Sequence, residues 1–213
     1  MNRCTHVVWL DVDDVLVDFC GLYNAHISSL GYGPLEKDYV PRHWNYSEIV
    51  GGESHGRAVF AALPPDWPLK LEAKRGAVAF TWRLHRAGAR VILITSLEQR
   101  HASARIENLV AHGFYFDEIY FTGHGDGQEK HHYIDAHFQR YGSARHIFID
   151  DYAKNVVAVA GALGALVESW TFDRPYNDQY AGQMAALCVT VLPDRETLFD
   201  AVVQAVECGG RKC

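Results

Sequence analysis

The chain has 213 residues, enough for one full hydrophobic core with a small inserted unit. Hydrophobic residues make up 48% of it, charged residues 22%, and the formal net charge is -6. We do not expect an acidic chain to bind a nucleic-acid polymer, because the negatively charged phosphate backbone is usually bound by a basic protein surface. No run of about 18 apolar residues occurs, so we expect neither a transmembrane helix nor a membrane partner.

The cysteine content and the N-terminal residues bear on the cellular compartment of the protein. The five cysteines are odd in number and include no CxxC pair, which is typical of reduced thiols. Arg3 is followed within a few residues by a run of aspartates, which does not fit a signal peptide. We therefore expect a cytoplasmic protein.

Short apolar runs rich in β-branched residues alternate with runs of helical periodicity. The predicted strands lie at 6–10, 90–95, 118–122, 146–150, 165–170 and 188–192. The predicted core helices lie at 73–87, 98–112, 129–141, 154–163 and, after Asp194 as N-cap, 194–206. Strands that are apolar throughout indicate a sheet covered on both faces, so we predict an α/β protein with a doubly wound parallel sheet. Its functional groups should lie at the carboxyl ends of the strands.

One segment interrupts this alternation. Roughly 60 residues separate the first strand from the helix before Arg90, far more than a simple crossover needs. The stretch is rich in glycine, proline and aromatic residues and has helix-like runs at 19–30 and 53–62. We interpret 19–77 as a small, mostly helical cap that covers the site, inserted into a core of residues 1–18 and 78–213. The alternative is a long structural excursion.

Two acidic clusters directly follow predicted strands. Asp11 and Asp13 come after the first strand, and Asp150 and Asp151 after the fourth. Carboxylates at the ends of neighbouring strands repel one another unless a hard cation such as Mg2+ lies between them. Such sites usually perform phosphate chemistry. Asp11 is then a candidate nucleophile and Asp13 a candidate general acid and base; the alternative is that both cap a helix.

Other polar residues complement these clusters. The strand at 90–95 ends in the hydroxyls of Thr95 and Ser96, which can hydrogen-bond a phosphoryl oxygen or stabilise a turn. Lys130 follows the glycine-rich stretch 123–127 and opens a helix, where it can balance the charge of an aspartate and a phosphoryl group. The alternative is a solvated surface lysine.

In this order, the motifs resemble those of the haloacid dehalogenase-like (HAD) hydrolase superfamily over about residues 6–170. The resemblance implies that Asp11 is the nucleophile and Asp13 the acid and base, with the backbone carbonyl of Asp13 binding Mg2+. Dehalogenating members lack the second aspartate, so its presence implies phosphoryl transfer, most often by a phosphatase. One departure is Asp14, where many relatives carry glycine.

The resemblance also assigns the remaining motifs. It implies that Thr95 is the second-motif hydroxyl, with Ser96 as a near substitute, and that Lys130 is the third-motif lysine. The fourth-motif acids would be Asp150 and Asp151, and the strand register favours Asp151 as the direct Mg2+ ligand.

The predicted cap resembles the C1 caps of the superfamily, which select the substrate. Its length, the stretch 67–78 and the Asp150-Asp151 pair are similar to the deoxyribonucleotidase branch. One or two aromatic residues of the cap are candidates for stacking on a nucleobase, although a small core within the cap is the alternative. These aromatic residues are Phe19, Tyr23, Tyr32, Tyr39, Trp44, Tyr46, Phe60 and Trp67.

The sequence therefore predicts a Mg2+-dependent phosphomonoester hydrolase that acts through an aspartyl-phosphate. Its substrate would be a small phosphorylated metabolite, with a nucleotide as one candidate. The alternatives are a phosphotransferase or phosphomutase on the same core, a phosphoacceptor domain of the receiver type, and a non-catalytic binding domain. The sequence leaves the substrate and the oligomeric state open.

Overall fold

A computed structural model describes residues 6–123, 129–141 and 144–209, so residues 124–127 of the glycine-rich stretch lie outside the described part. Six parallel strands form one sheet in the order β3-β2-β1-β4-β5-β6. They are β1 (His6–Leu10), β2 (Arg90–Thr95), β3 (Glu118–Phe121), β4 (Arg145–Ile149), β5 (Val167–Phe172) and β6 (Thr190–Leu192). The predicted doubly wound parallel sheet is confirmed.

Strand β1 lies at the centre of the sheet, and all five of its residues are buried. Leu10, its last residue, is in register with Leu93 of β2 on one side and Ile149 of β4 on the other. The strand order reverses between β1 and β4, and ligands of open α/β sheets bind at the carboxyl ends of the strands beside such a reversal. The acidic clusters follow β1 and β4, so they lie at this point.

Helices cover both faces of the sheet. Val8 and Leu10 of β1 belong to one buried cluster with residues of α4, α5 and α9, whereas Val7 and Trp9 belong to a second cluster with α6 and α7. The helices are α1 (Phe19–Ser29), α2 (Ser47–Val50), α3 (Glu53–Ala61), α4 (Ala77–Arg86), α5 (Ala102–Ala111), α6 (Glu129–Tyr141), α7 (Ala153–Leu163), α8 (Ala181–Ala186) and α9 (Arg195–Gly209). None of the described helices is both long and apolar enough to cross a bilayer.

The predicted helices 73–87 and 98–112 begin four residues later than predicted, as α4 and α5, and further differences lie after α7. Strand β5 begins two residues later than predicted because Gly164–Leu166 forms a 3-10 turn first. The sequence predicted neither α8 nor the 3-10 turn Pro175–Tyr180 before it. Helix α8 has six residues and buries only Met184, so it lacks the repeating apolar stripe that would indicate a helix. Asp194 does cap α9, since its carboxylate accepts a hydrogen bond from the Thr197 amide at 2.6 Å.

The chain between β1 and α4 leaves the core and returns to it at one place. Val17 pairs with Ala73 in an antiparallel bridge. The Asp18 amide donates to the Glu72 carbonyl at 2.8 Å, and the Lys74 amide donates to the Leu16 carbonyl at 2.8 Å. Residues 19–71, here called the inserted segment, hold α1, α2, α3 and the 3-10 turn Trp67–Lys70.

Candidate active site

Three buried carboxylates meet at the carboxyl ends of β1 and β4. Asp11, Asp150 and Asp151 each offer one oxygen, and these oxygens all lie within 4.8 Å of one another. The parallel pairing of β1 with β4 places the residues after Leu10 and Ile149 side by side. The two acidic clusters that the sequence placed after these strands are therefore brought together.

Lys130, in the first turn of α6, lies between two of these carboxylates. Its Nζ donates to Asp11 Oδ1 at 2.5 Å and to Asp150 Oδ2 at 2.7 Å. The side chain is 1% exposed, so the alternative of a solvated surface lysine is wrong. Burial alone would lower the pKa of Lys130, but the charges of Asp11 and Asp150 raise it above its ordinary value. The lysine is therefore a permanent cation in the site.

The site nevertheless holds an excess of negative charge. Burial raises the pKa of Asp11 well above its ordinary value, Lys130 opposes this, and Asp150 and Asp151 raise the pKa further. Burial also raises the pKa of Asp151 to about 7, with contributions from the charges of Asp14 and Asp150. The charge of Arg174 opposes this increase, although no described residue lies close enough to form an ion pair with Asp151. A set of buried oxygen ligands with unbalanced charge fits a hard cation such as Mg2+.

Asp150 is held by hydrogen bonds on both of its oxygens. Oδ1 accepts from the Tyr152 amide at 2.9 Å, and Oδ2 accepts from Lys130 and from the Asn155 side chain at 2.9 Å. Asn155 is in the first turn of α7, so the start of this helix fixes the carboxylate that precedes it. Hydrogen bonds from the protein therefore satisfy both oxygens of the Asp150 carboxylate.

Asp151 has a freer carboxylate. The Tyr176 hydroxyl donates to its Oδ2, and among the described residues its other oxygen has no hydrogen-bond partner. Asn177 donates to the Asp151 carbonyl at 2.8 Å and accepts from the Ala153 amide at 2.8 Å, which fixes the turn. Tyr176 and Asn177 lie in the 3-10 turn Pro175–Tyr180, and nothing in the sequence pattern pointed to them. Asp150 and Asp151 therefore differ in how many hydrogen bonds they accept, and the role of Asp151 as the direct ligand stays a prediction.

The Asp13 carboxylate is not part of the three-carboxylate group. Its Oδ1 accepts from Arg105 Nη2 at 2.6 Å. Burial raises the pKa of Asp13, and the charge of Arg105 opposes this increase. The sequence reasoning missed Arg105, although a signal existed: it lies three residues after Ala102 and four before Leu109, on the buried face of α5.

The two hydroxyls after β2 have different surroundings. Thr95 is wholly buried, and its Oγ1 accepts from the Leu97 amide at 3.2 Å. Ser96 lines the cavity that also contains Asp11 and Asp13. The structure thus places Ser96 at the cavity surface and Thr95 behind it, and both assignments as phosphoryl-binding groups stay predictions.

Asp14 lies in the left-handed region, with φ 57°. Glycine adopts this conformation without the steric cost that a side chain brings. Here the carboxylate offsets the strain with contacts: it accepts from the Cys20 amide at 3.1 Å and lies 3.0 Å from Lys74 Nζ. The side chain of Asp14 thus stabilises the left-handed turn in which it lies.

A cavity of about 250 Å³ opens over the carboxylates and is lined in part by aromatic rings. A second cavity of about 330 Å³ shares Phe19, Trp44 and Phe60 with the first. Trp44 stacks on Tyr152 with ring centres 5.5 Å apart, so the inserted segment meets the loop after β4 across the cavity. Other aromatic residues, such as Tyr23 and Tyr46, are buried within the inserted segment. The aromatic residues therefore form both a small core and a cavity wall.

The sheet order and the buried acidic site define a doubly wound α/β protein with its site at the point of strand reversal. No family model matches this chain, and no curated protein matches its sequence. Solved structures do match its fold. A haloacid dehalogenase-like family hydrolase from Streptococcus pneumoniae has a TM-score of 0.57 and 16% identity, with 95% of this chain and 100% of that chain covered.

Two further structures are similar. A HAD family hydrolase from Deinococcus radiodurans with bound phosphate and sodium has a TM-score of 0.58, 17% identity, and coverage of 96% of this chain and 97% of its own. D,D-heptose 1.7-bisphosphate phosphatase from B. bronchiseptica, complexed with magnesium and phosphate, has a TM-score of 0.55, 15% identity, and coverage of 94% and 99%. The chain thus has the fold of HAD hydrolases, and the resemblance predicted from the motifs is confirmed for the fold.

Proposed function

We propose that the protein is a Mg2+-dependent phosphomonoester hydrolase that acts through an aspartyl-phosphate on Asp11. The observation that carries the proposal is the buried group of Asp11, Asp150 and Asp151 with Lys130 between two of its members. This group combines a candidate nucleophile, a fixed cation and an excess of oxygen ligands at one end of the sheet.

The residues of the site have distinct roles in this reaction. An Asp11 oxygen attacks phosphorus in line with the ester bond, and Asp13 gives a proton to the departing oxygen. Asp13 then takes a proton from the water that hydrolyses the aspartyl-phosphate, which restores Asp11. Lys130, Ser96 and Thr95 supply the positive charge and hydrogen-bond donors for the phosphoryl oxygens.

The proposed Mg2+ would be held by Asp11 and Asp151, with Asp150 beside them and the Asp13 backbone carbonyl as the ligand that the resemblance implies. When bound, the ion would neutralise part of the charge on the carboxylates and on the phosphoryl group. The unbalanced charge of the three buried carboxylates supports this assignment, as does the magnesium and phosphate complex of the heptose bisphosphate phosphatase.

The cavity supports a small phosphorylated substrate with a flat leaving group. Its volume of about 250 Å³ fits a compact molecule, and the phosphoryl end is fixed at Asp11. Phe19, Phe60 and Trp67 line the same cavity, and aromatic faces bind planar rings. A nucleoside monophosphate combines a phosphate with a planar base, so it is a candidate substrate.

The test is phosphate release from a panel of phosphomonoesters, which includes nucleoside and deoxynucleoside monophosphates, sugar phosphates and p-nitrophenyl phosphate. We expect release with Mg2+, none with EDTA, and none from Asp11→Asn. The matched control is Asp200→Asn, which removes an exposed carboxylate paired with Arg83 and should retain full activity. Full turnover by Asp11→Asn would overturn the proposal, and a stable phosphoprotein without phosphate release would indicate a phosphotransferase.

A further inference from the structure

Arg105 is a buried arginine for which the reaction above has no role. It lies on α5, its side chain is 0% exposed, and its Nη2 lies 2.6 Å from Asp13 Oδ1. Its guanidinium carbon lies 5.5 Å from the centre of the Trp67 ring. Arg105 therefore sits between the proposed acid and base and an aromatic residue of the cavity wall.

The stability of the fold does not explain this arginine. Its Nε and Nη1 are buried and have no hydrogen-bond partner among the described residues. Buried donors without partners destabilise a fold, and apolar replacements of a buried ion pair are often neutral or stabilising. The one strong contact that Arg105 does make is with Asp13, so its role is to be sought there.

That contact fixes one carboxyl oxygen of Asp13 and leaves the other free. Among the described residues, only Arg105 hydrogen-bonds the Asp13 side chain. Asp13 remains 27% exposed and lines the cavity together with Asp11. A donor on one oxygen restricts rotation of the carboxyl group while the second oxygen stays accessible from the cavity. Such restriction matters for proton transfer, which requires a defined position of the acid.

Asn108, a neighbour of Arg105 on α5, contacts the inserted segment and not the site. Asn108, one turn further, donates to the Leu69 and Leu71 carbonyls at 3.1 and 2.8 Å. It therefore holds the end of the inserted segment on the same face of the helix without contacting a carboxylate. Asn108 offers a matched control that perturbs the packing of this region and leaves Asp13 untouched.

We propose that Arg105 is a positioning residue that aims the free oxygen of Asp13 at the leaving-group oxygen of the substrate. This inference rests on the proposed function. In the step concerned, an Asp11 oxygen forms its bond to phosphorus while the phosphorus–oxygen ester bond breaks. The electron pair of that bond goes to the ester oxygen, which takes the proton of Asp13.

The test compares two substrates that differ in their need for this proton. p-Nitrophenyl phosphate releases a stable phenolate, whereas benzyl phosphate has a similar ring but releases an alkoxide unless its oxygen is protonated. Because kcat/KM reports the first irreversible step, it isolates the protonation from the later attack of water. We expect Arg105→Met to lower kcat/KM for benzyl phosphate about 100-fold and that for p-nitrophenyl phosphate less than about fivefold.

Two further variants separate positioning from folding. Arg105→Lys keeps the charge and should recover most of the benzyl phosphate activity. Asn108→Ala should lower the melting temperature yet leave the ratio of the two kcat/KM values unchanged. In an Asp13→Asn background, Arg105→Met should cause no further selective loss, because the residue through which it acts is gone.

Several outcomes would overturn the inference. Equal losses on both esters in Arg105→Met would show that Arg105 does not act through the acid, as would a selective loss that persists in the Asp13→Asn background. In both cases the proposed function stands, provided that Asp11→Asn is inactive. If the wild-type protein with Mg2+ hydrolyses neither these esters nor any of the panel, the proposed function fails and the inference fails with it.

Discussion

Two lysines in this protein each bridge two aspartates, and the two groups differ in what else surrounds the acids. Lys130 contacts Asp11 and Asp150 at the strand ends. Lys74 contacts Asp14 at 3.0 Å and Asp18 at 2.5 Å, where the inserted segment joins the core. Both lysines thus face two carboxylates, so the number of charges alone does not separate a functional group from a structural one.

The two groups differ in whether backbone amides donate hydrogen bonds to both acids. At Lys74, the first turn of α1 donates amides to both acids: Cys20 to Asp14 and Gly21 to Asp18 at 3.1 Å. Burial would raise the pKa of Asp18, but the hydrogen bonds from Lys74 and Gly21 lower it below its ordinary value. The pKa of Asp11, by contrast, is raised. An acid satisfied by a helix N-terminus serves the fold, whereas an unsatisfied one is available to a ligand.

Removal of Lys130 should have the largest effect. In Lys130→Met, Asp11 and Asp150 lose their cation, so activity should fall at least about 1,000-fold. The free energy of unfolding in EDTA at pH 8 should fall by about 3–5 kcal/mol, as measured by chemical denaturation. Lys37→Met is the control, because its pair with Glu72 is exposed and screened by solvent, so its removal should leave the stability almost unchanged. A Lys130→Met protein as stable as wild type would remove the contrast between the two lysine groups.

The second-largest expected effect is a decrease in the stability of the metal-free protein as pH rises. The pKa of Asp151 is raised to about 7, so between about 4 and 7 the folded protein without metal binds more protons than the unfolded chain. In EDTA, the free energy of unfolding should therefore decrease as pH rises through this range, by about 2–4 kcal/mol.

Saturating Mg2+ should flatten this decrease, because the ion replaces the proton as the balancing charge. Asp151→Asn should reduce the slope without abolishing it, because the pKa of Asp11 is raised as well, whereas Asp18→Asn should leave the slope over this range unchanged. Denaturant titrations at several pH values measure the slope. A stability that rises with pH in EDTA would contradict the electrostatic account of the site.

Removal of Lys74 should have a smaller and different effect. In Lys74→Met, Asp14 and Asp18 keep their amide donors, so the free energy of unfolding should fall by only about 1–2 kcal/mol. The response of the melting temperature to Mg2+ should not change. Loss of that response in Lys74→Met would show that the two groups are coupled, and the structural assignment of Lys74 would be wrong.

The sequence predicted the parts of the fold and site that follow from strand patterns. The apolar runs placed β1, β2 and β4 within one residue, and the acids that follow them converge because parallel neighbours end at the same edge. Lys130 was a candidate from its position at a helix start after the glycine-rich stretch and from the order of the motifs. Its burial depends on how α6 packs on the sheet, which no local pattern specifies.

The residues that the sequence did not predict contact the site from positions distant in sequence or from a turn without a recognisable sequence pattern. Arg105 contacts Asp13 across 92 positions, and Tyr176 contacts Asp151 across 25. An arginine on a buried helix face is detectable as an exception to the apolar pattern, but its partner is not. Tyr176 lies in a 3-10 turn whose position follows from the packing after β5. The lining of the cavity likewise depends on tertiary contacts.

The paired backbone at Val17 and Ala73 has a consequence for how such a chain can change. The two ends of the inserted segment are held together by the core, so their separation does not depend on what lies between them. The entropy of closing a longer loop between fixed ends grows only slowly with its length. Residues 19–71 could therefore be lengthened, shortened or exchanged for an unrelated module while β1 and its aspartates keep their places. Evolution can in this way vary the wall of the cavity without displacing the strand ends beneath it.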